Sequence, residues 1–217
     1  MLPFTTEEFL QVFASYNHGI YPLQGALLLL ALAAVLLALK PNHFSNSAIG
    51  AILSILWLWI GIVYHLFFFT RINGAAHLFA VLCVAQAMIL FFSAIIIKRL
   101  KFQPKLDLTG AVGAVLVVYA LIIYPVLNYL LGHAYPRAPT FGTPCPTTIF
   151  TLGLLLWARP PLFIFIGPLI WSFIGFTAAL MLGITEDFAL PVAGLLAMAL
   201  IYREQHLNPA PERRSKN

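Results

Sequence analysis

The sequence predicts an all-α integral membrane protein, a seven-helix transmembrane bundle. Of its 217 residues, 61% are hydrophobic and only 9% are charged, and the mean hydropathy is +0.93. Soluble domains carry about 25% charged residues, so water is not the solvent for most of this surface. The composition also excludes a disordered chain and a disulfide scaffold. A nucleic-acid partner is excluded because the net charge of +5 is not concentrated on one basic face.

Seven apolar segments account for the bundle. Four uncharged runs are each long enough to cross about 30 Å of hydrocarbon as a helix, and they cover residues 19–39, 47–69, 74–97 and 109–131. Three further segments cover residues 147–158, 162–182 and 188–202. The fifth and seventh segments are short, so length alone does not decide whether the fifth one crosses the membrane.

The distribution of Lys and Arg decides the crossing and the orientation, because cytoplasmic loops are enriched in these residues. With seven spans and the N-terminus outside, ten of the 12 basic residues lie inside: Lys40, Lys98, Arg99, Lys101, Lys105, Arg159, Arg203, Arg213, Arg214 and Lys216. Only Arg71 and Arg137 lie outside. If the fifth segment did not cross, Arg159 and the basic C-terminus would move outside. The asymmetry therefore predicts an external N-terminus and a cytoplasmic C-terminus.

The two ends flank a membrane domain of residues 19–202. Thr5 and Glu8 have capping-box spacing, and Phe9, Leu10 and Phe13 then share one helical face. Residues 1–18 are therefore expected to form a short helix in the outer interface. They carry no cationic leader and are not expected to be a cleaved signal peptide. Residues 203–217 are predicted to be a disordered, basic cytoplasmic tail.

Uncommon polar residues collect in the predicted outer half of the bundle. They are Asn17, His18, Tyr64, His65, Asn73, His77, Tyr124, Asn128, His133, Cys145, Glu186 and Asp187. Such side chains normally face the bundle interior, and His65 and His77, which flank the turn at 70–73, are expected to do so at similar depth. Tyr124 and Asn128 share a helical face, and Pro125 is expected to kink the helix between them. The alternative for Tyr124 and Asn128 is that they only bridge helices.

Residues 138–148 read APTFGTPCPTT and combine three prolines with Gly142. The helix that follows reaches Ala158, and it is too short to cross the hydrocarbon alone. The Pro-rich segment is therefore expected to be re-entrant and to lead into a half-helix whose open N–H groups attract an anion or a thiolate. Cys145 lies at that helix start. It is either a reactive thiol or a small buried filler, and the sequence leaves both open.

The chain resembles a family of uncharacterised bacterial multi-pass membrane proteins that is known only as a domain of unknown function. The resemblance rests on FTTEEFLQVFASYN, WLWIGIVYHLFFFTRINGAAHLF, GHAYPRAPTFGTPCPTTIFTLG and PLIWSFIGFTAALMLGITEDFAL. It implies a multi-pass protein of the bacterial cytoplasmic (inner) membrane, with the lipid bilayer as its surroundings. It implies no reaction.

The first functional hypothesis is an outward-facing polar pocket that binds a metal ion or a small solute, with transport inward as an extension. Its solute-binding candidates are Tyr64, Asn73, Tyr124, Asn128 and Cys145. The candidate ligands for zinc or copper are His65, His77, His133 and Cys145. Ion-coupled transport is disfavoured because no charged residue is predicted near the bilayer midplane.

Two other hypotheses stay open, so the sequence does not decide whether the protein is an enzyme. One is a metal-dependent membrane hydrolase acting on a lipid amide or ester, with Cys145, Asp187 and Glu186 as catalytic candidates. The plain alternative for Glu186 and Asp187 is an acidic pair in an outer loop. The other hypothesis is a non-catalytic assembly or sensor subunit, which needs none of these residues for chemistry. The oligomeric state is not predicted.

Overall fold

The computed structural model describes residues 2–206, and within that range it is built from helices without a strand. We number the helices along the chain. They are α1 (Thr6–Gly19), α2 (Leu23–Leu39), α3 (Ser45–Arg71), α4 (Ala76–Ile96), α5 (Leu108–Leu130), α6 (Pro144–Ala158), α7 (Leu162–Leu182) and α8 (Thr185–His206). Every predicted apolar segment is helical, and the all-α prediction is confirmed.

Five of these helices, α3, α4, α5, α7 and α8, are long and apolar enough to cross a membrane. Together α1 and α2 would make a sixth span, but the chain bends by 88° between them. α2 begins at Leu23 and not at residue 19, because α1 continues to Gly19 before the bend. α6 has 15 residues and is shorter than the other candidates.

The N-terminal capping box agrees with the sequence prediction, whereas the last helix ends later than predicted. The capping box is present, since the Thr5 side chain accepts a hydrogen bond from the Glu8 N–H and Glu8 accepts one from the Thr5 N–H. At the other end, α8 continues to His206, which extends the helix into the segment predicted to be a tail. Residues 207–217 of that predicted tail lie outside the described residues.

Helix α6 lies in the centre of the bundle. All of its residues from Pro144 to Trp157 are buried, and it packs against α3, α5, α7 and α8. The surrounding helices instead expose large apolar side chains, for example Leu78 (72%) and Val115 (61%). A helix that is apolar all round and enclosed by other helices needs no lipid contact. Its length of about 22 Å therefore does not have to match about 30 Å of hydrocarbon.

Glycines allow α5 and α6 to approach closely. A Cβ atom added at Gly153 would lie 2.8 Å from the Gly113 carbonyl oxygen, and one at Gly113 would lie 2.8 Å from the Gly153 carbonyl oxygen. Indole N–H groups add polar contacts to this central helix. Trp157 donates to the Gly110 carbonyl at 3.0 Å, and Trp57 donates to the Thr151 hydroxyl at 3.1 Å. Small residues and such hydrogen bonds are the usual means of helix association in membranes.

Two helices widen into π-helical turns near the polar residues. In α3 the widened stretch is Ile60–Phe68, which carries Tyr64 and His65. In α5 it is Tyr119–Ile123, directly before Pro125. Proline has no N–H to donate to the carbonyl four residues earlier, so the regular ladder is interrupted where the kink was predicted.

An ion-pair network holds together the ends of α5, α6 and α8. Arg159, the residue after α6, donates to both carboxylate oxygens of Asp107 at 2.6 Å. Its Nη1 also lies 3.0 Å from Glu204 Oε1, which accepts a 2.5 Å hydrogen bond from Thr109. The hydrogen bonds from Arg159 hold the pKa of Asp107 below its usual range. We call this end of the bundle the Arg159 end, and the opposite one the α1 end.

The close contact between Gly113 and Gly153 predicts that neither position tolerates a larger side chain. Replacing Gly153 with Ala places a methyl group 2.8 Å from a backbone oxygen, so α5 must move away. We expect Gly153→Ala to lose about 1–3 kcal/mol of stability, measured as a lower Tm of the purified protein in mild detergent. Gly25→Ala is the matched control, because nothing lies within 4 Å of its added Cβ. Equal melting of the two variants would contradict the close approach.

Candidate functional site

The Pro-rich segment that leads into α6 is held by hydrogen bonds from two asparagines. Asn17 in α1 donates to the carbonyl oxygens of Pro136 and Ala138 at 2.7 and 2.8 Å. Asn128 in α5 donates to Pro139 at 3.2 Å. These bonds satisfy carbonyls that no regular secondary structure would satisfy in an apolar interior. The segment is therefore fixed within protein and positions the start of α6.

Gly142 makes the final bend possible. Its φ of +99° is a conformation that favours glycine, and an added Cβ would overlap Leu27. The Gly142 N–H donates to the Thr147 hydroxyl at 3.2 Å. The chain then enters α6 through Thr143, which precedes the first helical residue.

The first turn of α6 lacks most of the N–H donors that the sequence analysis expected to be open. Pro144 and Pro146 occupy the first and third helical positions, and proline has no N–H. Of the three residues in that turn, Cys145 alone retains one. The expectation of an anion site built from several backbone N–H groups is therefore wrong at this helix start. The same two prolines allow the helix to begin in an apolar interior without leaving buried donors unpaired.

Glu186 and Asp187 lie in the first turn of α8, and both are buried, with 2% and 4% exposure. The Tyr124 hydroxyl donates to Asp187 Oδ1 at 2.5 Å. Glu186 Oε1 lies 2.7 Å from His133 Nδ1, while its backbone carbonyl accepts from Tyr119 at 2.9 Å. Both residues lie at the start of the last helix, and α5 supplies a polar partner for each carboxylate.

Cys145 is buried between a carboxylate and an indole. Its thiol lies against Asp187 on one side and Trp171 on the other. Gly175 leaves space here, since a Cβ added to it would lie 3.8 Å from the Cys145 sulfur. The indole Nε1 of Trp171 is buried and has no hydrogen-bond partner. The thiol thus has a carboxylate neighbour and no cationic one, which is the opposite of the surroundings that activate a thiol.

These polar groups form one wall of a cavity of about 120 Å³ at the α1 end. The remaining wall is apolar, half of its residues being aromatic, and α1 with the residues before it covers one side. The aromatic lining residues are Phe4, Phe9, Phe13, Tyr64, Phe69, Phe79 and Trp171. The polar lining residues include Asn73, Thr143, Cys145 and Asp187. Among the described residues that line this cavity, none is Lys, Arg or His.

The proposed metal ligands do not come together. His65 is buried, and its ring centroid lies 5.0 Å from that of Trp171 and 5.6 Å from that of Phe79. Neither of its ring nitrogens has a hydrogen-bond partner. His77 is exposed and its Nδ1 lies 3.1 Å from a backbone oxygen in its own turn, so its expected interior position is wrong. His133 pairs with Glu186. Within residues 2–206 no group of three His, Cys, Asp or Glu side chains is arranged to hold a metal ion.

The solute-binding candidates divide into two sets. Tyr64, Asn73 and Cys145 line the cavity. Tyr124 stands behind it as the donor to Asp187, and Asn128 bridges to the Pro-rich segment. The bridging alternative thus describes Tyr124, which joins α5 to α8, whereas Asn128 joins α5 to the Pro-rich segment.

Two residues of the site, Asn17 and Trp171, were not among the predicted site residues. Asn17 is fully buried; its place in the outer polar layer was predicted, but its role as a donor to the Pro-rich segment was not. Trp171 is four residues from Gly175, so the two share a helical face. That spacing predicts free space beside the Trp171 ring, where Gly175 has no side chain. It does not predict that Cys145 occupies this space.

The fold defines an all-α bundle in which five helices, or six if the bent pair α1–α2 counts as one span, are long and apolar enough to cross a membrane. The chain is a member of a family of unknown function, DUF6064, whose family model matches residues 6–211. This confirms the resemblance drawn from the sequence. No curated protein and no solved structure matches the chain.

The hydrogen bonds of Asn17 predict a large effect from a small change. Asn17→Ala removes two donors and leaves the carbonyls of Pro136 and Ala138 buried without partners. We expect a loss of about 2–4 kcal/mol, seen as a lower Tm in detergent. Gln11→Ala, an exposed position on the same helix, is expected to melt like the wild type. Wild-type melting of Asn17→Ala would mean that the Pro-rich segment is held by other contacts.

Proposed function

We propose that this protein crosses the bacterial inner membrane seven times, with its N-terminus outside, and binds a small solute in the cavity at its α1 end. Helices α2 to α8 are the seven crossings, and the cavity then opens toward the outer side. The single observation that carries the binding role is a cavity with aromatic walls and a buried carboxylate, Asp187, at its polar side. Pockets of this kind, mostly apolar with a few fixed polar groups, are typical of small-molecule sites.

Two observations support the seven crossings. The basic residues fall predominantly on one side only if α6 crosses, because Arg159 and the residues of α8 then share a side. The Arg159 network supports the same arrangement, since it joins the end of α6 to Asp107 before α5 and to Glu204 late in α8. A helix as short as α6 can serve as a crossing because other helices enclose it.

The site is better suited to binding a solute than to catalysing a hydrolysis. The hydrolase hypothesis is metal-dependent and needs a metal ion held by several ligands. Within residues 2–206 no group of three His, Cys, Asp or Glu side chains is arranged to hold one, and the described lining residues of the cavity include no imidazole. Binding needs only the shape and the polar groups that the cavity has.

The orientation is tested by labelling single cysteines with an impermeant thiol reagent on intact cells. In a Cys83→Ala, Cys145→Ser background we place one cysteine at Ala134, between α5 and α6, or at Arg203, near the end of α8. Both positions are exposed. We expect outside labelling of Ala134→Cys, and labelling of Arg203→Cys only after the membrane is opened. Labelling of Arg203→Cys in intact cells would show that α6 does not cross.

Access to the cavity is tested by the reactivity of its own cysteine. Methyl methanethiosulfonate is small and neutral, and its addition to a thiol is read by the mass of the intact protein. We expect folded Cys83→Ala, which retains Cys145, to be modified. Cys145→Ser, which retains the fully buried Cys83, is the matched control and is expected to react only after denaturation. Because the carboxylate neighbour disfavours the thiolate, the reaction is followed as the pH is raised; failure of Cys145 to react in the folded protein at every pH, while it reacts after denaturation, would refute an accessible binding cavity.

A further inference from the structure

We infer that the solute is a small organic ammonium ion that also carries a hydrogen-bond acceptor, and that small amino alcohols represent the class. This inference rests on the proposed function, because it assigns chemistry to the same cavity. Four properties of the cavity each limit the ligand: its size, the charge of Asp187, its aromatic residues and an unpaired hydrogen-bond donor.

The size of the cavity restricts the ligand to a few non-hydrogen atoms. An apolar protein cavity of about 150 Å³ holds benzene. The cavity beside Cys145 has about 120 Å³ and therefore admits a ligand somewhat smaller than benzene. This excludes lipids, peptides and nucleotides as fully enclosed ligands.

Charge selects a cation. Asp187 is buried, and the groups that contact its carboxylate are the neutral Tyr124 hydroxyl and Cys145 thiol. His133, the nearby basic side chain, is paired with Glu186 instead. A buried carboxylate without an opposite charge is costly, and among the described lining residues none is cationic. An ammonium ion in the cavity supplies that charge, whereas an anion would add to the repulsion.

The walls favour an organic cation over a metal ion. Tyr64, Phe69, Phe79 and Trp171 line the same cavity as Asp187. Aromatic faces attract ammonium groups, most strongly where water is excluded. A metal ion instead requires several oxygen, nitrogen or sulfur ligands around it, and the described residues offer no group of three His, Cys, Asp or Glu side chains that could hold one.

The unpaired donor adds the acceptor requirement. The Trp171 indole Nε1 is buried without a hydrogen-bond partner, although its ring lines the cavity. Such a donor normally has a partner, and the hydroxyl oxygen of an amino alcohol can accept its hydrogen bond. One short molecule can then bind Asp187 through its ammonium group and Trp171 through its oxygen.

The test compares three probes of equal size: ethanolamine, propylamine and ethylene glycol. They have the same number of non-hydrogen atoms, and they carry respectively a charge and an acceptor, a charge alone, and hydroxyls alone. Each is added at millimolar concentration while methyl methanethiosulfonate modifies Cys145 in Cys83→Ala. We expect saturable protection in the order ethanolamine, then propylamine, with none from ethylene glycol. Equal protection by all three, or none from ethanolamine, would overturn the inference.

Two substitutions separate the charge from the acceptor. Asp187→Asn keeps the shape and is expected to weaken ethanolamine protection by about tenfold or more. Trp171→Phe keeps an aromatic ring but removes Nε1, so ethanolamine and propylamine should then protect equally. Persistence of the ethanolamine preference in Trp171→Phe would exclude the indole as its donor. Full protection in Asp187→Asn would exclude the carboxylate.

A second measurement does not depend on the thiol. A ligand that binds only the folded state raises the Tm, so ethanolamine should raise the Tm of the wild type in detergent and not that of Asp187→Asn, relative to sodium chloride at the same ionic strength. If Cys145 reacts but ethanolamine neither protects it nor raises the Tm, the ligand class is wrong and the binding cavity stands. If Cys145 does not react, the accessible cavity is refuted. The Tm comparison still tests the ligand class, because the absence of a Tm shift with ethanolamine would overturn that class.

Discussion

A short helix that is enclosed on every side determines the arrangement of the other helices. α6 cannot match the thickness of a bilayer, so it is stable only where protein replaces lipid along its whole length. Its neighbours α3, α5, α7 and α8 therefore turn small or apolar faces inward and leave bulky aliphatic residues outside. The glycine contact between α5 and α6 and the indole hydrogen bonds onto α6 follow from the same requirement for close packing.

The shortness of α6 also explains why polar chemistry lies inside the bundle at the α1 end. The helix begins below the end of the bundle, and the chain must reach it through irregular backbone whose carbonyls need donors. Asn17 and Asn128 supply these donors, and Pro144 and Pro146 remove N–H groups that would need acceptors. The positive end of the α6 dipole remains, and it favours a carboxylate nearby. Asp187 lies beside it, next to Cys145.

The sequence predicted the local features of this protein better than the contacts between residues that are distant in sequence. Helix type and approximate bounds follow from apolar runs, and the Thr5–Glu8 capping box follows from spacing. The special role of residues 138–148 follows from proline chemistry. Which histidines meet, however, depends on the rotation of each helix about its axis, which apolar runs do not specify, and α3 is π-helical over Ile60–Phe68. His65 lies among aromatic rings, while His77 on α4 is exposed.

Glu186 and Asp187 are adjacent in sequence, yet their surroundings assign them different roles. Glu186 has a basic partner in His133, and Tyr119 binds its backbone, so it joins the start of α8 to α5. Asp187 has only neutral donors and borders the cavity. Two neighbouring buried carboxylates repel each other, and His133 contacts only Glu186. The other carboxylate, Asp187, borders the cavity, and that is where a cationic ligand would be stabilised most.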